Sequence, residues 1–282
     1  MGSYVQRRYR VPAAWHDMLV AELEGPGLLG LESLDDEVLA YYRRGTEPDA
    51  RLADEWWERG VRMVGSRRIV ERDWLDQYRS HARPLPLGAG FWADPREWCA
   101  DGAESVPDGR ILLRLPARRA FGTGSHESTR LATRWLESLA PRVRGARLLD
   151  LGSGSGVLSF VAGHLGAGPI VALEHDFASA MLGRVNRSLN TSAAMMIAGS
   201  IDALSAEVSF DVVVVNILFA HLKPLLPAVS GLLRPCGALV VSGALRAEAR
   251  DAEDAGRDAG LVVRGTLEEG EWVAWHLERD VR

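Results

Sequence analysis

The residues best suited to chemistry lie in a glycine-rich loop that follows Asp150. Gly152, Gly154 and Gly156 turn the chain into a helix directly after an apolar strand. Glycine reaches backbone angles that other residues avoid, and it lets a ligand approach the main chain. A dinucleotide-binding loop needs its third glycine one residue later, at the position of Val157, and an acid before the loop would repel a pyrophosphate. The loop therefore favours a cofactor that carries positive charge.

A second acidic residue, Glu174, closes the next predicted strand. A carboxylate at this position can accept hydrogen bonds from both ribose hydroxyls of an adenosine. Together with Asp150 and the glycine loop, it favours S-adenosylmethionine over NAD or a phosphate-rich nucleotide. The alternative is a glycine turn that only connects a strand to a helix.

Asn216 closes a further apolar strand and so belongs at the carboxyl edge of the sheet, where open α/β folds bind their ligands. Its side-chain carbonyl can accept a hydrogen bond from an amine and aim the nitrogen lone pair at a methyl donor. We therefore take Asn216 as the candidate catalytic residue and also as a cofactor contact. The alternative, compatible with the first, is that Asn216 caps the following helix.

The stretch 120–129 precedes another predicted helix and contains two glycines, several hydroxyl side chains and one aromatic ring. It can fold over a cofactor, and its candidate contacts are Phe121, Gly122, Thr123 and Thr129. Thr129 lies near the helix start, where its hydroxyl can cap the helix or reach a ligand carboxylate. A plain connecting loop is the alternative.

The predicted elements place these residues on one α/β scaffold. From Gly109 onward strand and helix signals alternate, and Val212–Val215 is apolar throughout, as a strand buried on both faces requires. This alternation predicts a doubly wound, mostly parallel sheet. The last two strands are joined only by a turn at 268–270, so they should pair antiparallel. Strand candidates are 111–115, 147–151, 170–174, 195–198, 211–216, 238–242, 262–267 and 272–277, and helix candidates are 156–165, 178–189, 221–233 and 247–259.

Three regions that differ in composition and in predicted elements indicate two domains and a linker. Residues 1–72 show short elements in the order β-α-β-β-α-β, which predicts a small ferredoxin-like α+β domain. Residues 73–107 are rich in proline, glycine and tryptophan, and the prolines and glycines argue against a long helix. These residues form the predicted linker. Residues 108–282 form the predicted α/β domain.

Composition excludes several other classes of protein. The 282 residues carry a net charge of −5, which argues against a protein that grips nucleic acid through its overall field. Two distant cysteines fit a reducing cytoplasm, and with neither a signal peptide nor a membrane-spanning run in view we expect a cytoplasmic protein. The seven histidines show no metal-ligand spacing, and no G-x-S-x-G hydrolase motif occurs. We expect no metal, no membrane and no direct nucleic-acid partner.

Four stretches, together with the Trp-rich linker, resemble the PrmA family of bacterial methyltransferases, which modify ribosomal protein L-eleven (L11). The stretches are 121–129, 150–156, 215–218 and 269–272. The resemblance is close over residues 73–282, whereas the first seventy match only in element order. It implies a seven-stranded, Rossmann-like class I methyltransferase domain with its last strand antiparallel, preceded by a substrate-recognition domain.

The resemblance also implies roles for particular residues. Thr129, Gly152, Glu174 and Asn216 would contact S-adenosylmethionine, and the products would be methylated lysine or α-amino groups. Two departures bear on the substrate: Arg118 and Arg119 replace less polar residues, and Glu127-Ser128 replaces Pro-Thr. The expected function is an S-adenosylmethionine-dependent protein N-methyltransferase. The alternatives are a small-molecule methyltransferase and a non-catalytic module that binds the cofactor.

Overall fold

A computed structural model gives the fold of the chain. It describes residues 3–15, 18–19, 23, 27–34, 36–47, 54–70, 83–96, 109–116, 126–205 and 207–280. The chain divides into two compact units, Met1–His81 and Ala82–Arg282. The division falls inside the segment that the sequence analysis assigns to a linker.

The first unit contains a four-stranded antiparallel sheet. Its strands are β1 (Ser3–Arg10), β2 (Leu28–Leu34), β3 (Glu37–Arg43) and β4 (Arg62–Val70), and α1 (Asp54–Glu58) precedes β4. The order β2-β3-β1-β4 confirms the predicted ferredoxin-like topology. Tyr9, Tyr42 and Trp56 are buried in the core of this unit. The first predicted helix lies only partly within the described residues.

The second unit contains the predicted α/β sheet. Its strands are β8 (Leu148–Leu151), β9 (Ile170–Glu174), β10 (Met195–Ala198), β11 (Phe210–Asn216), β12 (Leu233–Leu245), β13 (Leu261–Glu269) and β14 (Trp272–Arg279). The order is β10-β9-β8-β11-β12-β14-β13, and β14 runs antiparallel to both its neighbours. Val212–Val215 are fully buried at the centre, as their apolar sequence predicts. The expected mostly parallel, seven-stranded fold is confirmed.

Helices cover both faces of this sheet. They are α2 (Glu127–Ser138), α3 (Ala140–Val143), α4 (Val157–His164), α5 (Phe177–Leu189), α6 (Phe219–Leu222), α7 (Leu226–Leu232) and α8 (Ala249–Asp258). The helix predicted over 221–233 is instead broken into α6, a short turn at Lys223–Leu225 and α7. Pro224 and Pro227 explain the breaks, because a proline lacks the N–H that would continue each helix.

A small three-stranded sheet departs from the sequence prediction. Strand β7 (Ile111–Arg114) does not join the large sheet; it pairs with β6 (Phe91–Asp94), which pairs in turn with β5 (Leu85–Pro86). Phe91 and Leu113 are buried in the same core as the large sheet. Residues 83–96 of the predicted linker are therefore part of the second unit.

The described residues contain neither a membrane-spanning helix nor a cluster of metal-ligating side chains. None of the helices in this part of the chain combines the length and apolar character needed to cross a membrane. Nor do these residues bring together three or more His, Cys, Asp or Glu side chains in a group that could hold a metal ion.

Candidate functional site

A cavity of about 420 Å³ opens at the carboxyl ends of the parallel strands. Five predicted site residues line it: Asp150 in β8, Gly152 and Gly154 after that strand, Glu174 at the end of β9, and Asn216 at the end of β11. Parallel strands end at a common edge, so residues far apart in sequence meet there. Ile217 and Trp272 also line the cavity.

The glycine loop passes close to neighbouring backbone and side chains. The N–H groups of Gly152 and Ser153 both donate to the carbonyl oxygen of Leu173, at 2.8 and 3.1 Å. Gly152 has a φ of +74°, and a Cβ there would overlap the side chain of Ile217. Only glycine adopts this positive φ readily and also avoids the overlap with Ile217. Both the backbone conformation and the packing around the cavity therefore require glycine at position 152.

Asp150 lines the cavity but is almost completely buried, with an exposed fraction of 1%. Its Oδ2 accepts hydrogen bonds from the backbone N–H of Ser159 at 2.9 Å and from the Ser159 hydroxyl at 2.7 Å. The carboxylate therefore satisfies a donor in the first turn of α4. Burial raises the pKa of Asp150 to about 6, the bonds from Ser159 oppose this rise, and the Glu174 carboxylate adds to it.

Replacing Asp150 with Asn should stabilise the protein without cofactor at pH 7.5, by roughly 2–3 kcal/mol. The folded-state pKa lies above the unfolded-state value, so stability falls as the pH rises from about 4 through 6 and is level above that. The amide oxygen of Asn can still accept from Ser159. Denaturant titrations of both proteins between pH 4 and 8 measure this effect. An advantage of the variant that is equal at every pH would contradict the assignment.

Glu174 is held at the tip of β9 by the main chain. Its Oε2 accepts from the N–H of Gly154 at 2.8 Å, and its Oε1 accepts from the N–H of Asp176 at 2.9 Å. Each oxygen retains a second lone pair for a ligand. The two bonds fix the orientation of the carboxylate before any ligand binds.

Asn216 is joined to the first turn of α2. Its Nδ2 donates to the hydroxyl of Thr129 at 3.2 Å, while its buried Oδ1 has no hydrogen-bond partner. The alternative role as a helix cap is wrong, because α6 begins at Phe219, has Leu218 as its N-cap and receives no side-chain cap. The Thr129 bond leaves the amide oxygen of Asn216 unsatisfied in a residue that lines the cavity.

The cavity wall includes residues without a role in the sequence analysis, among them His126, Ser153 and Trp272. The rings of His126 and Trp272 meet edge to face, with centroids 4.5 Å apart. Ser153 is buried and its Oγ has no hydrogen-bond partner. Ser153 could have been noticed within the glycine loop, whereas nothing in the sequence pairs His126 with a residue so distant along the chain.

Phe121, Gly122 and Thr123 lie outside the described residues, as do Arg118 and Arg119. Glu127, the added carboxylate, lies 3.3 Å from the guanidinium of Arg130.

The cavity residues fit S-adenosylmethionine. Two buried polar atoms, Asn216 Oδ1 and Ser153 Oγ, have no hydrogen-bond partner. A buried polar atom without a partner lowers stability, so a ligand that bonds to these atoms would be favoured. Asp150 and Glu174 supply negative charge toward a cationic ligand, and most of the remaining wall is apolar. The glycine at 152 removes a side chain that would fill part of this space.

Comparisons with known proteins agree with this architecture. The chain is 34% identical to a ribosomal protein L11 methyltransferase of Symbiobacterium thermophilum over 207 residues, which cover 73% of this chain and 66% of that protein. It is 33% identical to the Myxococcus xanthus protein of the same name, over 98% of this chain and 99% of that one. With the relative from Thiobacillus denitrificans the match spans 58% of that protein's length.

Structure and family comparisons point the same way. The crystal structure of a ribosomal protein L11 methylase from Lactobacillus delbrueckii subsp. bulgaricus superposes with a TM-score of 0.60 at 24% identity, over 70% of this chain and 98% of that one, which supports the fold. The sequence profile of the PrmA family, described as ribosomal protein L11 methyltransferase, matches residues 29–280. A match over this length, together with the full-length likeness to the Myxococcus protein, shows that the chain belongs to the PrmA family.

Proposed function

We propose that the chain is an S-adenosylmethionine-dependent protein N-methyltransferase that acts on lysine or α-amino groups of ribosomal protein L11. One observation carries the proposal: the buried, unpartnered Oδ1 of Asn216 lines the same cavity as Glu174 and the glycine loop. An acceptor for an amine and the elements that suit an adenosine cofactor thus share one space. The names of the relatives support the choice of L11.

Four groups of this chain would hold the cofactor. The Glu174 carboxylate, already oriented by two backbone N–H groups, would accept from the ribose hydroxyls. Gly152 and Gly154 would allow the cofactor close to the main chain. The Asp150 charge would favour a cation, whereas Thr129, which is fully buried and does not line the cavity, would act indirectly by accepting from Asn216 Nδ2.

When bound, the cofactor supplies a methyl group on a positively charged sulfur. Asn216 Oδ1 would accept a hydrogen bond from the incoming amine and so orient the nitrogen lone pair toward that methyl group. The apolar wall, which includes Leu158, Ile217 and Trp272, would exclude water. Orientation of the reacting groups and exclusion of water would accelerate the methyl transfer when the amine arrives neutral.

We also propose that the first unit selects the protein substrate. All the described cavity residues belong to the second unit, Ala82–Arg282, so a chain that begins at Asp73 should bind S-adenosylmethionine with unchanged affinity. The same truncated chain should lose methylation of L11. Calorimetry and a methylation assay on both lengths measure this. Equal rates of L11 methylation would remove the recognition role from the first unit.

The acceptor class can be tested with radiolabelled S-adenosylmethionine. We expect label on L11 and not on small amines offered at the same concentration. Label on small amines alone would favour a small-molecule methyltransferase. Binding of the cofactor without transfer to either acceptor would favour a non-catalytic module.

A further inference from the structure

The turn between β13 and β14 (residues 269–272) is joined to the first turn of α2 by an ion pair. Glu269 Oε1 accepts from Arg130 Nε at 2.7 Å and lies 2.6 Å from an Nη of the same guanidinium. The side chains are 32% and 23% exposed, so water screens this pair less than a fully exposed one. Arg134, one helical turn further on, approaches the other oxygen of Glu269 at 3.8 Å.

The same turn also contacts α2 through an aromatic ring. Glu269 and Trp272 are paired residues at the two ends of the turn. Trp272 packs edge to face on His126, the N-cap residue of α2, and both rings line the cavity. One short turn thus holds the start of α2 by an ion pair and by a ring contact.

The placement of α2 in turn determines how the candidate catalytic amide is held. Thr129 immediately precedes Arg130, and its hydroxyl accepts the hydrogen bond from Asn216 Nδ2. Ser242 Oγ donates to the carbonyl oxygen of Ser128 at 2.8 Å, which fixes the same helical turn from β12. A shift of this turn would alter the Thr129 bond and rotate the Asn216 oxygen within the cavity.

Glu127, which departs from the usual family residue, belongs to the same group of charges. Its Oε1 lies 3.3 Å from Arg130 Nη2, the same nitrogen that Glu269 contacts. Its own backbone N–H, with help from the Arg130 guanidinium, holds the pKa of Glu127 below its ordinary value. The added carboxylate therefore helps to orient Arg130, and its charge is paired with that guanidinium.

We propose that Glu269 is a positioning residue, which acts through Arg130 to hold the first turn of α2 so that Thr129 orients Asn216 and His126 completes the cavity wall. The inference rests on the proposed function, because it assigns a role toward the cofactor and the amine. It also accounts for two sequence features that the proposed function leaves unused, Glu269 of the 269–272 motif and the carboxylate of Glu127.

The test compares Glu269→Gln and Glu269→Ala with the full-length wild-type chain. We expect the dissociation constant for S-adenosylmethionine, measured by calorimetry without acceptor, to rise about fivefold in Glu269→Ala and less in Glu269→Gln. The kcat for L11 should fall at least as much, while the KM for L11 stays level. In the double variant Arg130→Gln/Glu269→Ala, the loss should be clearly smaller than the sum of the two single losses, because both changes remove the Arg130–Glu269 ion pair and only the 3.8 Å contact with Arg134 is lost in addition.

Arg264→Gln is the matched control. It removes another ion pair of β13, with Glu278 at 2.7 Å, and leaves the contacts of α2 with Glu269 and Trp272 intact. We expect it to lower the melting temperature about as much as Glu269→Gln while leaving the S-adenosylmethionine affinity at the wild-type value. Wild-type affinity and kcat in a folded Glu269→Ala chain would overturn the inference, and so would equal losses in Arg264→Gln. A wild-type chain that does not bind S-adenosylmethionine would instead defeat the proposed function itself.

Discussion

Asn216→Ala should lower kcat for methylation of L11 about 100-fold while the dissociation constant for S-adenosylmethionine changes less than about threefold. The reason is the geometry of the amide: its Nδ2 is committed to Thr129, and its Oδ1 is buried without a partner. The variant removes the acceptor that would align the amine, a contribution that belongs to the transition state. Single-turnover kinetics with saturating cofactor separates this effect from binding.

Thr129→Ser is the matched control for Asn216. It keeps the hydroxyl that accepts from Asn216 and removes only a methyl group from a fully buried side chain. We expect a modest loss of stability and a kcat within a few-fold of the wild type. If Asn216→Ala turns over at the wild-type rate, the amide has a structural role only.

Glu174→Ala should weaken S-adenosylmethionine binding by at least about 100-fold, since two charge-assisted hydrogen bonds are each worth roughly 1.5–3 kcal/mol. The loss has two sources. The ribose would lose its acceptor, and the N–H groups of Gly154 and Asp176 would lose the carboxylate that now binds them. Isothermal titration calorimetry on the purified variant measures the change.

The neighbouring acid provides the control for Glu174. Asp176 caps α5 by accepting from the N–H of Ser179 at 2.7 Å, so Asp176→Ala should cost about 1 kcal/mol of stability. Its effect on cofactor affinity should be small. A folded Glu174→Ala protein with wild-type affinity would remove Glu174 from the site.

Much of the site could be predicted because local signals and sheet topology agree there. Asp150, Glu174 and Asn216 each close an apolar run, and the ends of parallel strands meet at one edge. The buried run at Val212–Val215 fixed the centre of the sheet, and the cavity lies where these three residues converge.

What the sequence could not reveal depends on long-range contacts. Strand β7 has an ordinary apolar pattern, and only its pairing with β6 shows that it belongs to the small sheet. Trp272 reaches His126 because β14 is the neighbour of β12, an order that periodicity does not encode. The bond between Asp150 and Ser159 likewise depends on how tightly α4 turns back over β8.

The most direct test is mass spectrometry of L11 after incubation with this chain and S-adenosylmethionine, with the Asn216→Ala chain as the parallel reaction. We predict added methyl groups located on lysine side chains or on the α-amino group, and far fewer after the parallel reaction. An L11 of unchanged mass, or methyl groups on atoms other than amine nitrogens, would contradict the account.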